Sequence, residues 1–501
     1  MKKLDILFVH PNASEKIYQD LSKKASAIEP PIWAGMLANH VRTRGFSSAI
    51  LDCEAERFDW QTSAETIVDF KARVICFVVY GQQPSASSQN MTGAVGIANL
   101  VKQLTNTPIV FVGGHVAALP EEVLQEDCVD IVLLNEGVYA ISNLLSTDFS
   151  IEQLRNCKGI GFKDDGVVLN EPERIVPKSM LAEDLPGIAW DLLPSFDKYR
   201  TAPWHSWSNN TEQYPFAALY TSLGCPYKCS FCMINIINRT SNLPMVTSAD
   251  SNMFRWWDPE FIIKQFDYFA EKNIRNIKIA DELFVLNPNH FMKICNMIIE
   301  RGYDFNIWAY SRVDTCKTQY LDTLKKAGVN WLGLGIENPN QVLRQEIHKD
   351  HFVNVKITDL MKSMKDAGIN IGGNYIFGLP MDTQESMQNT LDFAIANKTE
   401  MVNFYCAMAY PGSPLHKTAR EKGWKLPETY SGYSQHSYDM LNLSNDNLRA
   451  EEIMAFRDQA FIKYNSDSTY LQLLEDRFGK SARLNMEETL KIKLKRKLLG
   501  D

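Results

Sequence analysis

Twice along this chain the sequence repeats one unit, a short β-branched apolar run followed by a longer amphipathic run. That alternation restricts the fold to parallel sheets covered by helices. From Leu4 to about Leu145, strands are expected at Asp5–His10, Ser48–Asp52, Val74–Tyr80, Ile109–Gly113 and Ile131–Leu134. The intervening helices are expected near Pro31–Arg44, Ala64–Lys71, Gln89–Gln103 and Glu121–Gln125. Open sheets of this kind bind ligands beyond the carboxyl ends of their strands, so the loops that begin at His10, Tyr80, Gly113 and Asn135 are the candidate segments. Three of them are Gly81-Gln82-Gln83-Pro84-Ser85-Ala86-Ser87-Ser88, Gly113-Gly114-His115 and Asn135-Glu136-Gly137. Small residues let the backbone approach a bulky ligand, and hydroxyls and amides bond its rim. Glycine and serine also build ordinary turns, and His115 has a second reading as a plain loop histidine.

The second stretch, from about Phe216 to Leu415, opens with an apolar strand at Phe216–Thr221 and then Gly224-Cys225-Pro226-Tyr227-Lys228-Cys229-Ser230-Phe231-Cys232. Three thiolates at this spacing in a loop suit three irons of a 4Fe–4S cubane, leaving the fourth iron open to a chelating substrate. A structural zinc site needs four ligands closed around the metal, and no second Cys/His pair completes one. Further strands follow at Ile277–Ala280, Phe305–Tyr310, Trp331–Leu334, Ile371–Phe377 and Val402–Ala407. They alternate with helices near Glu260–Lys272, Asn289–Arg301, Gln319–Ala327, Val353–Ala367 and Gln384–Ala396, giving six β/α units. In a parallel barrel the chemistry lies at the carboxyl ends of the strands. Polar residues fall there: Asp281-Glu282, Ser311-Arg312, Glu337-Asn338, Asn374-Tyr375-Ile376 and Tyr410.

On the cysteine motif and this strand pattern, the second stretch resembles the catalytic domain of the radical S-adenosylmethionine (SAM) superfamily. The first resembles the cobalamin-binding domain that precedes it in many members, through Glu29-Pro30-Pro31, Leu51-Asp52, the Ser85/Ser87/Ser88 loop, Gly113-Gly114-His115, Leu119-Pro120-Glu121-Glu122 and Asn135-Glu136-Gly137. Asn135 and Val138 depart from the pattern at the last site. The Asp-x-His-x-x-Gly motif is absent, because Phe8 precedes His10 where the aspartate would stand and Ala13 replaces the glycine. The resemblance therefore implies a cobalamin with no histidine on its lower face. It implies that Cys225, Cys229 and Cys232 hold the 4Fe–4S cluster and act in catalysis. SAM contacts are implied for Phe231, Asp281, Glu282, Ser311, Arg312, Glu337, Tyr375, Ile376 and Tyr410, and cobalamin contacts for Pro11, Gln83, Ser85, Ser87, Gly113, Gly114, His115, Asn135, Glu136 and Gly137. Two structural alternatives stand beside these: Arg312 and Glu337 as an ion pair, and Asp281-Glu282 as a simple strand terminus.

What the resemblance implies about activity is methylation of an unactivated carbon, or a phosphorus, of a small-molecule biosynthetic intermediate through a 5′-deoxyadenosyl radical and methylcobalamin. A radical rearrangement or cyclisation without methyl transfer is the alternative, and a cobalamin- or redox-sensing module is the non-enzyme one. A tRNA methylthiotransferase is disfavoured, since no second set of cluster cysteines and no RNA-binding terminal domain is visible. An external electron donor of flavodoxin or ferredoxin type is the implied partner.

Composition narrows the remainder. With 501 residues, 45% of them hydrophobic and 22% charged, the chain fills two or three cores. A net charge of −8 argues against holding nucleic acid by phosphate neutralisation. The start reads as a first strand and not as a signal or a membrane span, so a cytoplasmic protein is expected. Of ten cysteines, the seven scattered ones (Cys53, Cys76, Cys128, Cys157, Cys295, Cys316 and Cys406) read as inert core thiols. The expected division is an α/β doubly wound cobalamin domain at 1–147, a connector at 148–212, a six-strand partial TIM barrel at 213–420 and a helical extension at 421–501. The connector, with a hairpin-like stretch at Gly159–Asn170, is expected to wall the substrate cavity. Trp256-Trp257 reads as packing. The basic run Glu487–Lys497 reads as a solvated terminal helix.

Overall fold

A computed structural model describes residues 4–81, 83–208, 212–251, 253–349 and 356–501. Gln82 of the serine loop and the first three residues of the helix expected at Val353–Ala367 lie outside the described residues. The N-terminal sheet contains β1 (Ile6–His10), β2 (Ser48–Asp52), β3 (Val74–Val79), β4 (Ile109–Gly113), β5 (Ile131–Leu133), β6 (Ile160–Lys163) and β7 (Val167–Leu169), in the order β2-β1-β3-β4-β5-β6-β7. The first five strands are parallel and the last two antiparallel. The hairpin expected in the connector is thus hydrogen-bonded onto the first sheet, where it extends the β5 edge. Period-two alternation along β1 divides its buried side chains between two cores. Leu7 and Val9 pack with the helices Trp60–Asp69 and Ala86–Leu104, whereas Ile6 and Phe8 join the core that runs on into the second half of the chain.

That second half is built on β8 (Phe216–Leu219), β9 (Ser222–Gly224), β10 (Phe254–Trp256), β11 (Asn276–Ile279), β12 (Asn306–Arg312), β13 (Val329–Glu337), β14 (Asn370–Phe377) and β15 (Met401–Cys406). Six of these form one parallel sheet in the order β15-β14-β13-β12-β11-β8, and β9 and β10 form a separate antiparallel ribbon. Proline at the first turn presets the helices Pro259–Glu271 and Pro288–Glu300. Asparagines tie the amino-terminal ends of adjacent strands: Asn306 donates to Asn276 at 2.9 Å, and Asn330 donates to Asn306 at 3.1 Å. This end of the sheet is therefore closed by internal hydrogen bonds, and the carboxyl end is left for chemistry.

Helices Ala450–Asn465, Ser468–Phe478 and Lys480–Leu490 complete the chain. The terminal helix expected at Glu487–Lys497 is not formed beyond Leu490. Like charges four residues apart, Lys491 with Lys495 and Lys493 with Lys497, disfavour a helix there. Arg496 is instead fully buried, its Nε 3.0 Å from Asp458 and its Nη1 donating to the Ser437 carbonyl at 3.1 Å. Among the described residues no helix is long and apolar enough to cross a membrane.

Candidate active site

The cysteine loop leaves β9 at Gly224, whose φ is +82° and where a Cβ would lie 2.1 Å from the Met253 carbonyl oxygen, so the position admits only glycine. Asn235 then grips the first cysteine from both sides: the Cys225 amide donates to its Oδ1 at 3.0 Å, and its Nδ2 donates to the Cys225 carbonyl at 2.7 Å. Distant segments hold the rest, with Ser230 N donating to Ile347, Leu415 N to Ser230 and Ser248 Oγ to Cys232. All three thiols line a single cavity of about 560 Å³. Burial pushes the Cys225 thiol up to about 12 and raises the other two, while Lys349 and Arg312 pull Cys229 in the opposite direction.

Among the described residues no group of three His, Cys, Asp or Glu closes on one metal ion. Three thiols on one cavity wall, spaced C-x3-C-x2-C along one loop, suit a cluster in which each sulfur takes its own iron.

Arg312, at the end of β12, lies against this loop. Its Nη1 is 3.6 Å from Cys229 Sγ, its guanidinium is 3.8 Å above the Tyr227 ring, and its Nε donates to Asp314 at 2.8 Å. Glu337 ends β13 in a left-handed conformation, φ +60°, at a break in the pairing with β14, and is bonded to Lys349. Strain at a carboxylate facing a cavity marks a built site. The alternative ion pair between Arg312 and Glu337 is not formed, since each has its own partner. Glu282 lines the cavity with no hydrogen-bond partner among the described residues, and burial, reinforced by Asp281, raises its pKa to about 8. Phe231, Ser311, Ile376 and Tyr410 also line the cavity.

Two expected SAM contacts lie elsewhere. Tyr375 is fully buried behind β14, its ring 5.7 Å from Phe404, because alternation sends Asn374 and Ile376 to the cavity and Tyr375 to the opposite face. Asp281, just after β11, is fully buried against the turn between β8 and β9, accepting from Thr221 N at 2.6 Å, Thr221 Oγ1 at 2.5 Å and Ser222 Oγ at 2.6 Å. It is the strand terminus of the alternative reading.

The same cavity reaches the carboxyl ends of β1 and β3, where the strand order reverses, and there it is lined by His10, Glu29, Pro30, Tyr80, Gln83 and Ser85. His10 is 3.5 Å from Glu54, and its Nδ1 is buried with no partner among the described residues, an orphan polar atom at the place where a ligand of the first domain would sit. Of the expected cobalamin contacts, Gln83 and Ser85 line this cavity. Pro11, Ser87, Gly113, Gly114, His115, Asn135, Glu136 and Gly137 do not. Ser87 accepts from the His115 amide, and His115 Nδ1 faces Ser88 Oγ at 3.0 Å. A Cβ on Gly113 would lie 2.2 Å from the Val79 carbonyl oxygen, so this glycine serves strand packing. Asn135 caps Gly137 N, and Glu136 pairs with Arg255.

Among its described residues the connector, expected as a cavity wall, supplies Trp204 alone. Trp257 packs as expected, its Nε1 donating to the Leu181 and Leu185 carbonyls at 3.1 Å. All seven scattered cysteines are buried, but Cys406 also touches the cavity. Sequence reasoning missed Lys278, which pairs with Glu29 at 2.7 Å, and Lys349. Lys278 alternates with the apolar residues of a read strand and was recoverable from that register; Lys349 lies in a segment with no periodic signal.

Two family descriptions match the chain, the B12 binding domain over residues 19–145 and the radical SAM superfamily over residues 219–394. The chain is 28% identical over 437 residues to an uncharacterized methyltransferase of Pyrococcus horikoshii, covering 87% of each protein. It is 20% identical over 433 residues to an anaerobic magnesium-protoporphyrin IX monomethyl ester cyclase of Cereibacter sphaeroides, covering 83% of this chain and 64% of that one. The fold matches the radical SAM methyltransferase TsrM of Kitasatospora setae, solved with cobalamin and a [4Fe-4S] cluster, at a TM-score of 0.65 and 15% identity, over 98% of this chain and 100% of that one.

Proposed function

Because the chain joins a B12-binding domain to a radical SAM domain and so belongs to the cobalamin-dependent radical SAM enzymes, with a 4Fe–4S cluster, SAM and cobalamin as cofactors, we propose that it methylates an unactivated carbon of a small molecule. The observation that carries the reading is the single cavity that runs from the three cysteines to the carboxyl ends of β1 and β3. When bound, the cluster and SAM supply one-electron chemistry at the cysteine end and cobalamin supplies a transferable methyl group at the other. The protein's part is to hold one substrate atom between the two.

In this reading Cys225, Cys229 and Cys232 hold the cluster. Arg312 faces the SAM carboxylate from its seat on Asp314 and Tyr227, and Glu337 takes ribose hydroxyls or the amino group. Glu282, kept protonated by burial at neutral pH, changes charge state when a cation arrives beside it. Gln83, Ser85 and the orphan His10 face the corrin. The partition of the chain is 1–169 for the cobalamin domain, with its added hairpin, then a connector, the barrel to about 420 and the helical extension. A cytoplasmic setting and a flavodoxin- or ferredoxin-type electron donor belong to the same reading.

The test is product analysis on reconstituted, cobalamin-loaded protein given candidate substrates and a low-potential reductant. Methyl transfer yields S-adenosylhomocysteine together with 5′-deoxyadenosine and a labelled product from methyl-labelled SAM. Deoxyadenosine alone, with no label transferred, would replace the reading with the rearrangement or cyclisation that the name of the Cereibacter relative describes.

A further inference from the structure

The cavity has more lining than its two cofactor ends account for. Deep in the barrel, towards the amino-terminal end of the sheet, it is lined by Trp204 and Trp308, with Tyr310, Asn374 and Asn403 further along the strands. The Trp308 ring is pressed onto the backbone of the two neighbouring strands, for a Cβ on Gly333 would stand 2.8 Å from its Cζ2 and a Cβ on Gly372 2.6 Å from its Cη2. Trp204 lies 4.4 Å from it between ring centroids, and Tyr310 meets it edge-on at 5.4 Å. These three rings make a rigid aromatic wall. Beside it, Asn403 Nδ2 donates to Asn374 Oδ1 at 2.9 Å, and Asn374 Nδ2 is taken by the carbonyls of Leu334 and Gly372. Asn403 Oδ1 has no protein partner among the described residues and remains as an acceptor.

The charges of the cavity are balanced. Lys278 is paired with Glu29, Arg312 with Asp314, Lys349 with Glu337 and His10 with Glu54, and burial keeps His436 neutral. The ionisable group left over among the described lining residues is an acid, Glu282, which burial keeps protonated, and no cation is left over. A phosphate or carboxylate brought to this wall would lose its hydration and meet no unpaired cation, a cost of several kcal/mol.

We propose that the Trp204–Trp308–Tyr310 wall and Asn403 form the substrate subsite, and that it selects a neutral, flat ring system carrying an N–H or O–H donor over an anionic one. This inference rests on the methyltransferase reading for the identity of the site as a substrate site. Its test is equilibrium dialysis of the cluster-reconstituted, cobalamin-loaded protein with S-adenosylhomocysteine present, using 2-naphthamide and 2-naphthoate as probes of one shape and two charges. Naphthamide is expected to bind about tenfold or more tightly than naphthoate, the size of one hydrogen bond to a neutral group plus the charge penalty. Asn403→Leu is expected to weaken naphthamide binding about fivefold, the share of the one hydrogen bond. Glu29→Gln, which strips Lys278 of its partner, is expected to raise naphthoate affinity. Equal or tighter binding of naphthoate by the unaltered protein, or binding of neither probe, overturns the proposal without any variant having to fold. The two readings fail separately, because probe selectivity is measured without turnover and the absence of labelled product would leave it standing.

Discussion

The Glu136 carboxylate and the Arg255 guanidinium meet at 2.7 Å with both side chains no more than 2% exposed. Glu136 follows β5 of the first domain, and Arg255 sits on β10, whose partner β9 runs directly into Cys225. The pair also takes in the connector, through Val176 N donating to Glu136 and Arg255 Nη1 donating to the Val176 carbonyl. It therefore fixes the cysteine loop against the cobalamin domain. Removing one partner leaves the other charge buried and unpaired, at about 3–5 kcal/mol. Glu136→Ala is expected to lower the denaturant midpoint strongly and to speed proteolysis between the domains. A double replacement, Glu136→Leu with Arg255→Met, is expected to recover most of the loss.

Each of Cys225→Ser, Cys229→Ser and Cys232→Ser is expected to abolish the visible iron–sulfur absorption while cobalamin stays bound, since the two sites occupy opposite ends of the cavity. Cys295→Ala, at a fully buried core thiol, is expected to keep both absorptions. Iron content and the visible spectrum of the purified variants decide this.

Asp281 and Glu282 are adjacent and are expected to behave oppositely. Asp281→Asn breaks a turn held by three donors to one carboxylate and is expected to cost about 1–3 kcal/mol of stability. Glu282→Gln breaks no hydrogen bond and is expected to leave stability near its starting value while weakening SAM binding. Thermal melts alongside equilibrium dialysis of SAM separate the two.

His205 predicts the acid side of the stability profile. It is fully buried, its Nδ1 2.6 Å from Thr201 Oγ1 and its Nε2 2.9 Å from the Asn306 carbonyl, and burial, aided by the charge of Lys278, lowers its pKa to about 3. Below pH 6.5 the unfolded chain takes a proton that the folded chain refuses. The stability is therefore complete above that pH and is lost as pH falls toward 3, at about 1.4 kcal/mol per unit for this one group. His205→Gln is expected to flatten the slope by one proton, read from denaturant midpoints between pH 7 and pH 5.

Much of the fold was legible because it rests on local periodicity. Runs such as Val74–Val79 and Ile109–Gly113 are strands by composition, and the cysteine loop is a contiguous motif. The errors came where a local signal met a tertiary demand. Tyr375 reads as a site aromatic by its neighbours, yet one step along a strand reverses its face. Glu136 follows β5 and His115 opens the short helix after β4, and in the structure both bond other protein groups. The pairing of Lys278 with Glu29 joins residues far apart in sequence, and Lys349 reaches Glu337 from a segment without a periodic pattern, so no periodicity encodes either.

The central claim is that the cluster and the cobalamin open into one cavity, and paramagnetic relaxation measures that proximity without turnover. In protein loaded with both cofactors, reduction of the cluster is predicted to enhance the relaxation of the Co(II) signal, and Cys229→Ser is predicted to remove the enhancement. A Co(II) signal indifferent to the redox state of the cluster would contradict the shared cavity and the function built on it.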